Sequence, residues 1–93
     1  MAEVKISDGA EADLRHIADY TASQWGEVQK SVVLKRIRES FEIISAFPKL
    51  LAPTSKPGYF ITTVPRLPFV IVCKVEGDVV LVMQILHDKQ NRP

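Results

Sequence analysis

The sequence predicts an α+β fold in the order β-α-α-β-β-β: an antiparallel sheet with an N-terminal helical hairpin packed on one face. Three observations lead there. A short alternating segment opens the chain. Two apolar patterns of helical period follow, with Gly26 at their junction. Beyond Pro48 the chain turns to β-branched and aromatic residues divided by turn signals. Its 93 residues make a single domain, residues 1–93, with room for one thin core.

From Glu3 to Ser7, Val4 and Ile6 fall on one face and Glu3, Lys5 and Ser7 on the other, a strand pattern. Ser7 and Asp8 supply N-cap chemistry, and Glu11 suits the positive end of a helix. Ala10, Leu14, Ile17, Ala18, Thr21 and Trp25 then keep to one helical stripe, opposite Glu11, Asp13, Arg15, His16 and Asp19. Gly26 stands where a helix takes a left-handed residue, so the first helix stops near Trp25. Val28, Val32, Val33, Ile37, Phe41, Ile44 and Phe47 trace the second helix, and Pro48 ends it. Such a hairpin cannot bury both stripes by itself and needs a flat layer beneath it.

The remainder supplies that layer. Pro48 to Pro57 reads as a loop, Tyr59 to Val64 as a strand, and the Pro65–Pro68 stretch as a bend or edge. Leu67–Val75 and Val79–His87 are strands flanking the tight turn Glu76-Gly77-Asp78. In them Val70, Val72, Val80, Val82 and Leu86 alternate with Ile71, Cys73, Leu81, Met83 and Ile85. One set faces the helices. The other, taken as Val70, Val72, Val80, Val82 and Leu86, needs a second cover, which a helix or added strand of another protein would supply. Self-association, or a small second core from the Pro-rich loop, is the competing explanation.

Composition narrows the function classes. With 46% hydrophobic and 25% charged residues the chain is globular and not disordered. Twelve Lys+Arg against eleven Asp+Glu give +1, which argues against a coat for nucleic acid or an anionic membrane. Cys73 is alone, which excludes an intrachain disulfide, and its apolar run predicts a buried, inert thiol. There is no Gly-rich phosphate loop and no ligand spacing of a metal site, so neither cofactor nor metal is expected. The N-terminus lacks the apolar core of a signal peptide, and no uncharged apolar run approaches the roughly 20 residues of a membrane span. The expectation is a cytoplasmic protein.

The ordered set of motifs resembles the ParE/RelE toxin superfamily of type II toxin–antitoxin systems. The helix Ala12-Asp13-Leu14-Arg15-His16-Ile17-Ala18-Asp19-Tyr20, followed by Gln24-Trp25-Gly26, resembles the start of these toxins. Arg66-Leu67-Pro68-Phe69, Val75-Glu76-Gly77-Asp78 and Ile85-Leu86-His87 resemble their closing segment. The resemblance covers nearly the whole chain and implies the same β-α-α-β-β-β fold. It also implies a cognate antitoxin that wraps the toxin in a hetero-oligomer, and a role in growth inhibition and plasmid stabilization.

Two activities share this fold, so the site must separate them. RelE-like members cleave mRNA on the ribosome; ParE-like members lack that chemistry and bind DNA gyrase. Metal-free RNA cleavage needs a base, an acid and cations for the phosphate. By resemblance Arg66 and His87 are the candidates, with a structural histidine as the competing reading. The segment Tyr59-Phe60-Ile61-Thr62-Thr63-Val64 carries no charge, with only Lys56 and Arg66 flanking it, and a net +1 gives weak attraction for ribosomal RNA. The gyrase-binding branch is therefore expected, with no catalytic residues and with His87, Lys89 and Arg92 meeting the target. A non-toxic relative that keeps only antitoxin binding is a third reading. The antitoxin is expected on Val70, Val72, Val80, Val82 and Leu86. Trp25 and Tyr20 are expected to pack the hairpin, His16 to be exposed, and Lys30, Lys35, Arg36 and Arg38 to form a solvated helix face.

Overall fold

A computed structural model describes residues 1–88. In chain order it has strand β1 (Glu3–Ile6), helices α1 (Asp8–Trp25) and α2 (Glu27–Ala46), a 3-10 turn (Pro48–Leu50), and strands β2 (Ala52–Pro53), β3 (Tyr59–Thr63), β4 (Phe69–Glu76) and β5 (Val79–His87). The strands form one sheet in the order β1-β5-β4-β3-β2. The α+β class and the helical hairpin stand as expected, with two additions. First, β1 lies parallel to β5, so the sheet is mixed. The β3-β4-β5 meander occupies both edges of β4, which leaves the outer edge of β5 for the N-terminal strand. Second, Ala52 and Pro53 pair with Ile61 and Phe60 as a two-residue edge strand. Proline has no N–H to donate, and an edge is where a sheet tolerates it.

Local chemistry sets the helix ends. The Ser7 hydroxyl accepts from the Ala10 N–H at 3.1 Å and donates to the Met83 carbonyl at 3.0 Å. One side chain thus caps α1 and ties it to β5. Gly26, at φ +93°, is the single residue between the helices, and its N–H reaches the Ala22 carbonyl at 3.0 Å. Gly77, at φ +61°, opens the two-residue loop between β4 and β5.

Helix α2 buries Val33, Ile37, Ser40, Phe41 and Ile44. Val28, 81% exposed, Val32 and Phe47, 62% exposed, depart from the expected stripe. Residues 28 and 32 lie about 140° around the helix from 33 and 37, since each residue turns the helix by 100°. The apolar positions of α2 therefore form two rows, and the sheet covers only one.

The sheet carries a second correction. Val72 pairs with Gln84 and Cys73 with Val82, so Met83 is the extra residue of a β-bulge. The bulge reverses the alternation along β5. Val80 and Val82 face the helices before it, and Ile85 does so after it. All three are buried in the same core as Ile71, Cys73, Ala10, Val33 and Ile37. The expected outer set is thus divided: Val80 and Val82 belong to the core, whereas Val70, Val72 and Leu86 are half-buried on the other face. Burial pushes the Cys73 thiol up to about 11, so it stays protonated and unreactive at neutral pH.

Strand β1 reaches only as far as Val82, and the start of α1 satisfies the rest of that edge of β5. The Ser7 N–H donates to the Val82 carbonyl at 3.0 Å. The Ile85 N–H donates to Oδ2 of Asp13 at 2.9 Å, a contact spanning 72 residues. Replacing Asp13 by alanine leaves this N–H without its acceptor and is expected to cost about 1–3 kcal/mol. Asp13→Asn, which retains an acceptor oxygen, is expected to recover part of it. Urea midpoints of the two variants measure both, and an unchanged midpoint for Asp13→Ala would refute the tether.

Candidate functional site

Helix α1 and the adjoining ends of β4 and β5 enclose a groove formed by two adjacent cavities of about 410 and 570 Å³. Tyr20, Thr21, Phe69 and His87 line both. Phe69 and His87 are cross-strand partners, so they point the same way, and their rings meet edge to face with centroids 5.9 Å apart. Nδ1 of His87 lies 3.5 Å from Oδ1 of Asp88. Ile17 and His16 continue the wall along α1, while Trp25, Leu67 and Pro68 extend it toward α2. The groove is mostly apolar and aromatic. Among the described residues neither lysine nor arginine lines it.

Arg66 occupies the turn that leads into the groove wall. The Leu67 N–H donates to the Val64 carbonyl at 3.2 Å, closing a tight turn with Pro65 second and Arg66 third. Arg66 has φ +67° there, a conformation in which glycine or asparagine is usual. Its side chain is exposed and is not among those lining the groove. Arg66 thus stands in the turn just ahead of Leu67 and Pro68, which line the groove with His87, but it is not itself part of the lining. Lys89 and Arg92, the other candidate target contacts, lie outside the described residues.

Tyr20 and Trp25 correct a further expectation. They are 65% and 71% exposed and form groove wall instead of hairpin packing. His16 is exposed as expected, yet it also lines the groove. A signal for this was present in the sequence. Asp13, His16, Ile17 and Tyr20 follow helical spacing on a second flank of α1, next to the stripe that enters the core.

The second candidate surface is the sheet face turned away from the helices. Cross-strand pairing sets its rows: Thr63, Val70 and Leu86; Ile61, Val72 and Gln84; Tyr59, Lys74 and Leu81. A depression of about 750 Å³ lies beside them, lined by Ile61, Val72 and Met83, with Asp8 and Asp13 on its acidic side and Lys56 on its basic side. The Lys56 ammonium stands 4.5 Å from the centre of the Tyr59 ring. Among the described residues no group of three His, Cys, Asp or Glu side chains converges to hold a metal. No helix among them is long and apolar enough to cross a membrane.

This arrangement is similar to that of known toxins. A solved structure of the chromosomal ParDE toxin–antitoxin system from P. aeruginosa superposes with a TM-score of 0.83 at 25% identity, covering 94% of this chain and 96% of that one. The RelBE2 toxin–antitoxin complex of Mycobacterium tuberculosis superposes with a TM-score of 0.60 at 16% identity, covering 92% and 96%, a likeness of fold. No curated protein matches the chain in sequence. The family model for the ParE toxin of the parDE type II toxin–antitoxin system matches residues 4–92. With that match running from the first strand into the C-terminal tail, the chain belongs to the ParE toxin family.

Proposed function

We propose that this ParE-type toxin inhibits DNA gyrase by direct binding, with no catalytic chemistry of its own, and that a cognate antitoxin neutralises it. The observation that carries the reading is the composition of the groove at His87. Tyr20, Phe69 and Ile17 line it together with His87, the Phe69 ring meets the imidazole edge to face, and Arg66 is not among the lining residues. Cleavage of RNA requires a cation at the phosphate beside the proton-transferring groups, whereas an apolar groove edged by exposed aromatic rings suits a protein partner. In this reading His87 and the tail containing Lys89 and Arg92 meet the target. The antitoxin covers Val70, Val72 and Leu86 on the open sheet face.

Two assays on the same preparation separate the activities. Purified toxin is expected to block supercoiling by gyrase, and added antitoxin to restore it. Primer extension on translated mRNA is expected to show no new cuts. Unchanged supercoiling at micromolar excess, or cuts that vanish with His87→Ala, would overturn the proposal in favour of the ribosome-dependent nuclease. Absence of growth arrest on induction would point to the non-toxic relative.

A further inference from the structure

The second row of α2 has a symmetry of its own. Val28, Val32, Arg36, Glu39 and Ile43, with Phe47 just beyond the helix, are separated by 4, 4, 3, 4 and 4 residues. The spacing is palindromic about a point between residues 37 and 38. So is the chemistry: two apolar residues, a cation, an anion, two apolar residues. A helix face of this kind is complementary to itself when turned end for end.

We infer that this row is a self-association surface, on which two copies of the chain pair α2 against α2, antiparallel, about a two-fold axis at its centre. In that pairing Val28 meets Phe47 of the second copy and Val32 meets Ile43. Arg36 meets Glu39 twice, once on each side of the axis. The row is free to do so. Val28, Val32, Ile43 and Phe47 are among the large hydrophobic residues that the chain leaves exposed, and the core is served by Val33, Ile37, Phe41 and Ile44 instead. Among the described residues neither Arg36 nor Glu39 is engaged in an ion pair, although they stand three apart on one helix. Trp25 and Leu50, also exposed, flank the two ends and add apolar area there. Because α2 lies on the opposite side of the sheet from Val70, Val72 and Leu86, the pairing leaves the open sheet face uncovered.

A 20-residue helix is about 30 Å long. Two such helices in contact fall at the small end of specific interfaces, below about 1,200 Å² in total. The dimer is accordingly weak and concentration-dependent. Sedimentation equilibrium of the intact chain, from about 1 µM to about 1 mM, covers the range in which so small an interface associates. The weight-average mass is expected to climb from one chain to two and to level there. Val32→Lys, Arg36→Glu and Glu39→Arg are each expected to hold it at one chain with unchanged circular dichroism. The double variant Arg36→Glu/Glu39→Arg is expected to regain the dimer. An equimolar mixture of the two single charge variants is expected to form a heterodimer, since both cross-axis contacts are then opposite in sign. A wild-type mass of one chain throughout would overturn the inference. A dimer that survives all three single variants would do so too, as would a row whose variants lose antitoxin binding while the wild type never self-associates.

Discussion

Ile37→Ala is expected to remove about 3 kcal/mol of stability. Ile37 is fully buried, on the same row of α2 as Val33 and Ile44 and in one core with the sheet residues Ile71, Val80 and Val82. Deleting three carbons at such a site costs their transfer free energy plus the cavity they leave, about 2–5 kcal/mol in well-packed cores. A domain of 93 residues has roughly 5–14 kcal/mol in all. The loss is therefore a large share, equivalent to a fall in Tm of more than about 10 °C. Val28→Ala supplies the contrast. It removes two carbons from the same helix at an exposed position, and its midpoint is expected to move by less than about 0.5 kcal/mol. Chemical denaturation of both variants, with slopes compared, measures the difference. Equal losses at residues 37 and 28 would mean that the two rows of α2 are not distinct in the way described.

That contrast also marks what the sequence could and could not disclose. Gly26, the Ser7 cap and the Gly77 turn are readable because the physics at each is local: a left-handed backbone, an orphan N–H, a two-residue loop. The helix period of α2 is readable for the same reason. Which of its two apolar rows meets the sheet is not, because valine at 28 and 32 is as apolar as valine at 33 and isoleucine at 37. The sheet hides more. A bulge is a disagreement between two strands over register, and neither strand alone announces it. Met83 is one more apolar residue in a continuous run, yet it moves Val80 and Val82 from the outer face to the core. The parallel partner of β1 and the reach of Asp13 to Ile85 are likewise contacts across more than 70 residues. As for the site, motif order located His87 and Arg66 but not which of them lines the groove. The turn at Pro65 leaves Arg66 exposed, whereas the cross-strand pairing of Phe69 with His87 sets the imidazole in the groove wall.

The corrected division of the sheet yields the second large effect. Val70→Lys combined with Val72→Lys is expected to weaken binding of the proposed antitoxin at least about a hundredfold while leaving the toxin folded. Val70 and Val72 are half-buried on the face away from the helices, in adjacent rows beside the depression lined by Ile61 and Met83, and neither lines the groove at His87. Apolar anchors at the centre of a protein interface each contribute about 2–4 kcal/mol when truncated, and a lysine there brings an unpaired ammonium besides. One such loss is already about thirtyfold to a thousandfold in affinity. In the free toxin the cost is small, because a lysine stem can lie along the sheet and carry its charge to water. Val80 and Val82 are expected to behave oppositely. Each is essentially unexposed, so Val82→Lys forces a cation among Ile71, Cys73 and the hairpin and abolishes folding before any partner is met. Titration calorimetry with the antitoxin, alongside circular dichroism of each variant, reads the two faces separately. Full-strength binding by the Val70→Lys/Val72→Lys protein would move the antitoxin off the open sheet and leave the groove at Tyr20, Phe69 and His87 as its seat.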